Sequence, residues 1–319
     1  MTMDCSQIKG FNYQPSYGRS GMELWDKFDA DAIDRELGRG KTHFPGMNAI
    51  RFWLSFEAFG YGSDSERRRF CDNFEKVLSI ADSYELQVMP VLFNRWHDGV
   101  PEYGGVFIDH FLPGSNWVGK RFVRLYREYL PAVVGEHADD PRIFSWDLCN
   151  EPFCYDVEPD TLPEIRDAEF DWLRDVYDRC KALGARAPIS VGIATGVHLH
   201  IVEPISDILN FHAYDNIPRD RFEKLLDDVV AFAERVNKPL LTSETCWGSL
   251  DDAVRAEVVQ YTLGELRKRN IGWLAYLLHH SLVADSHRPE FGPLANPGNL
   301  AFIDADGSIR PGHDVFNEF

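Results

Sequence analysis

Residues 143–153 read IFSWDLCNEPF. The first seven form a nearly continuous apolar run, the pattern of a strand covered on both faces in a parallel sheet. An amide, a carboxylate and a proline then follow without a break, as Asn150, Glu151 and Pro152. Strict alternation along a strand sends adjacent side chains to opposite faces. Asn150 and Glu151 can therefore serve one ligand only if the strand twists or bulges at its end. Pro152 suits such an end: it adds no N–H to the ladder and disfavours an α conformation at Glu151.

Runs of the same kind recur on both sides of this one. They are KGFNY (9–13), NAIRFWL (48–54), QVMPVLF (87–93), PISVGIA (188–194), ILNFHAY (208–214), KPLLTSE (238–244) and IGWLAYLL (271–278). Between them lie apolar stripes at helical spacing, such as Phe70, Phe74, Val77, Leu78 and Ala81, or Phe222, Leu226, Val229 and Ala233. Such stripes belong to amphipathic helices laid on a sheet. Eight strands alternating with helices predict an α/β fold, a single (β/α)8 TIM barrel forming one domain over residues 1–319. The link 195–207 is short for a full helix. A doubly wound open sheet is the alternative, but its usual Gly-rich turn after the first strand is missing.

The chain has 33 basic and 51 acidic residues, a formal charge of −18. So acidic a surface repels phosphate backbones and anionic lipid, which argues against nucleic acid or a membrane as partner. Six cysteines include no CxxC pair and are expected as reduced, buried thiols. The first ten residues, MTMDCSQIKG, lack the apolar core of a signal peptide, and no run nears the roughly 18 apolar residues of a membrane span. The expectation is a cytoplasmic protein, or a secreted one if a leader has been removed.

In a (β/α)8 barrel the chemistry stands at the C-terminal ends of the strands. There this sequence places Arg51 on strand 2, Asn94, Trp96 and His97 after strand 3, and Asn150 and Glu151 after strand 4. His212 and Tyr214 end strand 6, Glu244 and then Trp247 end strand 7, and Tyr276 lies on strand 8. Two carboxylates across one mouth, flanked by amides and aromatic rings, are the equipment of glycoside hydrolysis. One carboxyl must be protonated to assist the leaving oxygen, the other ionised to attack or to activate water. Flat rings such as Trp96 and Trp247 suit sugar faces, and amides and histidines suit hydroxyls.

This constellation resembles the retaining β-glycosidases of the (β/α)8-barrel clan, and most of all glycoside hydrolase family 5, the cellulase and mannanase family. Asn-Glu-Pro after strand 4, His-x-Tyr on strand 6, Glu on strand 7 and Arg on strand 2 match Asn150–Glu151–Pro152, His212 and Tyr214, Glu244, and Arg51. The opening GFNYQPS and closing FIDADGSIRP are similar too, so the likeness spans the chain. Three features depart from the family: Tyr276 stands where a tryptophan is usual, FNRWHDGVPEYGG matches the mannanase strand 3 pattern only loosely, and Thr245-Cys246-Trp247 follows the glutamate where glycine is common. The resemblance implies a β-glucan- or β-mannan-type oligo- or polysaccharide as substrate and no cofactor or metal. It implies double displacement, with Glu244 as nucleophile, Glu151 as acid/base and Asn150 on the sugar 2-hydroxyl. The alternatives are a carbohydrate-binding pseudoenzyme and a metal-dependent hydrolase on the same barrel.

Overall fold

The computed structural model describes residues 4–95, 105–112, 114, 116–155, 157–283 and 298–319. Eight parallel strands close on themselves in the order of the sequence, each paired with its neighbour and β1 with β8. They are β1 (Lys9–Tyr13), β2 (Ala49–Trp53), β3 (Gln87–Asn94), β4 (Trp146–Asn150), β5 (Ile189–Ile193), β6 (Leu209–Ala213), β7 (Leu240–Thr245) and β8 (Gly272–Ala275). The (β/α)8 barrel expected from the sequence is thus the observed fold, and each strand falls within or beside its predicted run.

Helices α1 (Ala30–His43), α2 (Asp64–Ser83), α3 (Asn116–Leu130), α4 (Pro163–Ala182), α6 (Arg219–Val236) and α7 (Asp252–Lys268) cover the sheet. The short link after β5 carries only one helical turn, α5 (Leu199–Val202), between two 3-10 turns, and the barrel still closes. Local chemistry starts these helices where they start. Asp29 accepts from Ala32 N (3.0 Å) at α1, and Asp251 accepts from Ala253 N (2.9 Å) at α7. Each satisfies an amide that the first turn leaves without a partner. The stripe Phe70, Phe74, Val77, Leu78 and Ala81 of α2 is buried as its spacing predicts.

The two ends of the barrel differ in kind. Ile8, Ala49, Met89, Phe144, Ile208, Leu241 and Leu274 cluster at the N-terminal ends of the strands as an apolar plug. The backbone approaches closely there: a Cβ on Gly272 would lie 1.9 Å from Cys5 O, so only glycine fits. Toward the C-terminal ends the interior turns polar, and Asn12, Arg51, Asp147, Asn210 and His212 are all buried inside. Buried groups of this type are tolerated only when paired, so the mouth must be a connected network. Among the described residues no helix is long and apolar enough to cross a membrane.

Candidate active site

The strands that carry the two glutamates are both irregular just before them. On β4, Asp147 pairs with Ser190 and Asn150 with Gly192, so three residues advance against two. On β7, Thr242 pairs with Trp273 and Thr245 with Ala275, again three against two. A bulge of this type re-aims side chains at a sheet end. It puts Asp147 and Asn150, three positions apart, on the same guanidinium. Glu151 then adopts φ +49°, and Phe153 φ +60°. The distorted strand end expected from Asn-Glu-Pro is present. Its form is a left-handed turn, uncommon for a residue with a Cβ and held here by Glu151 N donating to Gly192 O at 2.7 Å.

Arg51 is the hub. It is fully buried and donates through Nη1 to Glu244 Oε1 (2.5 Å) and Asn12 Oδ1 (3.0 Å), through Nη2 to Asn150 Oδ1 (2.8 Å), and through Nε to Asp147 Oδ2 (3.0 Å). Its planar face lies 4.4 Å from the Trp53 ring centroid. Burial opposes its charge, yet Asp147 and Glu244 together raise its pKa above the ordinary value. The network fixes two amides as well. Asn150 presents Oδ1 to Arg51, so its Nδ2 faces the other way and donates to Asn94 Oδ1 at 3.0 Å.

Glu244 is held at both oxygens, with Oε2 accepting from Tyr214 Oη at 2.7 Å. Glu151 has a different neighbourhood. Its Oε1 lies 2.7 Å from His212 Nδ1, and His212 Nδ1 is also 3.5 Å from Glu244 Oε2. One oxygen of each glutamate and a ring nitrogen of His212 all lie within 4.8 Å of one another. Burial pushes the Glu151 carboxyl up to about 7, against a smaller opposing pull from Arg51. Burial also pushes His212 down to about 4, so its imidazole is neutral. A neutral imidazole carries a single N–H, and the Glu151–His212 contact therefore shares one proton. His212 Nε2 is buried and has no hydrogen-bond partner among the described residues. It faces Gly192, where a Cβ would stand 3.1 Å from it and 2.7 Å from Asp147 Oδ2. A side chain at 192 would push the network apart.

Aromatic rings line the same end. Trp247 meets Tyr214 edge-on with centroids 5.1 Å apart, and Tyr276 meets Trp53 edge-on at 6.2 Å. Arg51, Asn94, Asn150, Glu151, His212, Tyr214, Glu244, Trp247 and Tyr276 are therefore gathered at one mouth. Trp96 and His97 lie outside the described residues. His279, just after β8, is buried against Arg39 (Nη1 to Nε2, 3.1 Å). His198 pairs with Glu158 at 2.9 Å and takes no part. Burial lifts the Cys149 and Cys246 thiols, Cys246 to about 12, which leaves them inert packing groups.

Sequence reasoning missed Asn12, Trp53 and Asp147. Asp147 had a signal: a carboxylate inside an apolar strand requires a cation, and Arg51 is a cation inside another.

A closed (β/α)8 barrel with two facing glutamates at its C-terminal mouth is the architecture of many enzymes, and comparison with known proteins narrows the likeness. No family model matches the chain. It is 22% identical over 185 residues to a probable mannan endo-1,4-beta-mannosidase A of Aspergillus clavatus, a match covering 56% of this chain and 48% of that protein. The chain thus spans about half the length of that relative. Its fold matches an exo-beta-1,4-mannosidase of Opitutaceae bacterium strain TAV5 with a TM-score of 0.74 at 18% identity, over 100% of this chain and 61% of that one. It also matches a GH5_18 protein of Streptomyces cattleya in complex with Manβ1-4GlcNAc, with a TM-score of 0.72 at 15% identity, over 98% of this chain and 79% of that one. Mannan-processing names thus occur in both comparisons, in line with the mannanase side of the resemblance noted in the sequence.

Proposed function

We propose that this chain is a retaining glycoside hydrolase acting on β-linked mannan or manno-oligosaccharides. The observation that carries the reading is the opposed state of two carboxyls a few ångströms apart. Glu244 is ion-paired with Arg51, whereas burial keeps Glu151 protonated near neutrality. A separation near 5 Å leaves no room for a water between carboxylate and sugar, the arrangement of retention. Glu244 attacks the anomeric carbon while Glu151 gives its proton to the departing oxygen. With Glu244 neutralised as a glycosyl ester, Glu151 takes a proton from water, which releases the sugar with its original configuration. Asn150 Nδ2 is turned from Arg51 and can donate to the 2-hydroxyl oxygen, which leaves that hydroxyl's own proton to be donated in a bond that strengthens as positive charge grows on the ring. The mannan preference comes from the named relatives alone.

The donor set of Glu151, His212 and Glu244 also has the spacing of a metal site. Its chemistry favours a proton instead. Tyr214 and Arg51 already donate to Glu244, His212 shares a proton with Glu151, and the adjacent guanidinium repels a cation. NMR of the first products from β-1,4-manno-oligosaccharides, with and without EDTA, tests the proposal. We expect β anomers first and no effect of chelation. Inverted product, or loss of activity in EDTA restored by a divalent cation, would refute it.

A further inference from the structure

Arg255 lies near the start of α7, fully buried, and its guanidinium points back at the barrel mouth. Nη1 donates to Cys246 O (3.1 Å) and Trp247 O (2.9 Å), and Nη2 to Tyr276 O (2.9 Å) and Leu300 O (2.8 Å). Four carbonyls from three separate segments thus converge on one side chain, whose face lies 5.1 Å from the Phe302 ring centroid. A cation near the N-terminus of a helix opposes the macrodipole, and burial adds a desolvation cost. Neither the helix nor the apolar core requires a charge at this position. The guanidinium binds carbonyls, and its charge also acts on the Asp215 carboxyl, opposing the rise that burial causes there.

Those carbonyls are not arbitrary. Cys246 and Trp247 follow Glu244 with only Thr245 between, and Cys246 takes φ +69°, a turn that few residues with a Cβ adopt. Tyr276 leads out of β8, and its own amide donates to Thr245 O at 3.0 Å. Leu300 O also accepts from Leu277 N at 2.9 Å, next to the mutual Ser249–Asn299 bridge. The side chains of Trp247 and Tyr276 are two of the rings at the Glu244 side of the mouth, with Tyr214. Arg255 holds the backbone of Trp247 and Tyr276, beside the Tyr276 N to Thr245 O bond and the pairing of Thr245 with Ala275.

We infer that Arg255 is a positioning residue: it sets Trp247 and Tyr276 at a fixed distance from each other and from Glu244, and so builds the wall on which the sugar stacks. It touches no reacting atom. The stacking part of this inference rests on the glycosidase reading, but the bridging part does not.

The test uses the full chain with Arg255→Lys, which keeps the charge but has too few N–H groups in one plane for four carbonyls. Arg255→Gln keeps two donors and removes the charge. Hydrogen exchange without any ligand reads the bridge directly. Peptides covering 245–250 and 275–279 should exchange about tenfold faster in both variants, while a peptide covering 146–155 keeps its wild-type rate. With manno-oligosaccharides, KM should rise about tenfold in Arg255→Lys with kcat within about threefold, and the pH profile should not move. On a Trp247→Ala, Tyr276→Ala background the same replacement should cost almost nothing more, because its effect runs through those rings. Unchanged exchange in the two loops, loosening spread evenly over the barrel, wholesale unfolding of both variants, or a penalty undiminished on the double background would each overturn the inference. A wild-type chain that cleaves no glycoside would refute the glycosidase reading, and the exchange result would still decide the bridge.

Discussion

Glu151 and Glu244 face each other across one mouth and share a neighbour in His212, yet their surroundings are opposite. Glu244 receives a guanidinium on one oxygen and a phenol on the other. Glu151 receives a neutral imidazole and is otherwise enclosed, and burial lifts it to about 7. The same side chain thus becomes an anion in one place and an acid in the other, and the difference is made by donors and by dry surface. Arg51 stands close to both but bonds only one. Its Nη2 is turned to Asn150 and Asp147, so its charge is spent before it reaches Glu151.

The contrast breaks most completely at the anion. Replacing Glu244 by Ala removes the attacking group and leaves Arg51 and Tyr214 directed at nothing. We expect kcat on manno-oligosaccharides to fall by roughly 10⁴-fold or more. Added azide should then partly restore turnover and give the α-glycosyl azide, because a small anion fills the vacated face. A variant that retains a tenth of its activity would show that Glu244 is not the nucleophile.

Replacing Glu151 by Ala should split by leaving group. An unactivated oligosaccharide needs the proton, and kcat/KM should fall by roughly 10²–10⁴-fold. An aryl glycoside with an acidic phenol departs without it, so its first step should lose little, visible as a burst of phenol. In the wild type, kcat/KM should fall about tenfold per unit above pH 7, because the acid form is lost through a pKa of about 7. Equal losses on both substrates, or no alkaline limb near 7, would count against Glu151 as the acid.

How much of this contrast could be read from the chain? The barrel was legible because eight apolar runs alternate with helical stripes, a pattern few other folds produce. Both glutamates were legible because they end such runs. The bulge on β4 could be argued from Asn150 and Glu151 being neighbours that must share a face, but the matching bulge on β7 has no such signature in TSET. Asn12 and Arg255 were invisible for another reason. Each works through partners far away in sequence, as when Arg255 reaches Leu300, and one strand's pattern says nothing about what the next strand or helix brings. The left-handed turn at Glu151 was unforeseen as well, since Pro152 restricts the preceding residue without saying which remaining region it takes.

Asp147 offers the next test, through structure more than chemistry. It is fully buried and shares Arg51 with Glu244, while its Oδ1 accepts from Gly192 N at 2.9 Å. Asp147→Asn keeps the shape and removes one of two anions facing a buried cation. We expect a loss of about 4 kcal/mol and a fall in Tm of several degrees, read by calorimetry, because a half-compensated charge stays buried. A stability change below about 1 kcal/mol would mean that Glu244 alone suffices for Arg51, and the division of Arg51 between two strands would lose its meaning.

The smallest effect is also the one that isolates the protonation of Glu151 from catalysis. Its carboxyl titrates near 4.5 when exposed and near 7 in the folded chain. A raised carboxyl pKa gives stability that is fully present below the unfolded value and is lost as pH climbs to the folded one, where the fold must either keep the proton or bury a charge. Glu151→Gln has the size of the acid form and no proton to lose. It should therefore exceed the wild type in stability by roughly 1 kcal/mol at pH 5, growing to roughly 3 kcal/mol at pH 8 and levelling off above that. Denaturant unfolding at several pH values measures the gap. His212, which is neutral in both proteins, contributes to neither side of the difference. If the two stability curves run parallel from pH 5 to 8, Glu151 is not held neutral by its surroundings, and the two glutamates are less different than their neighbours imply.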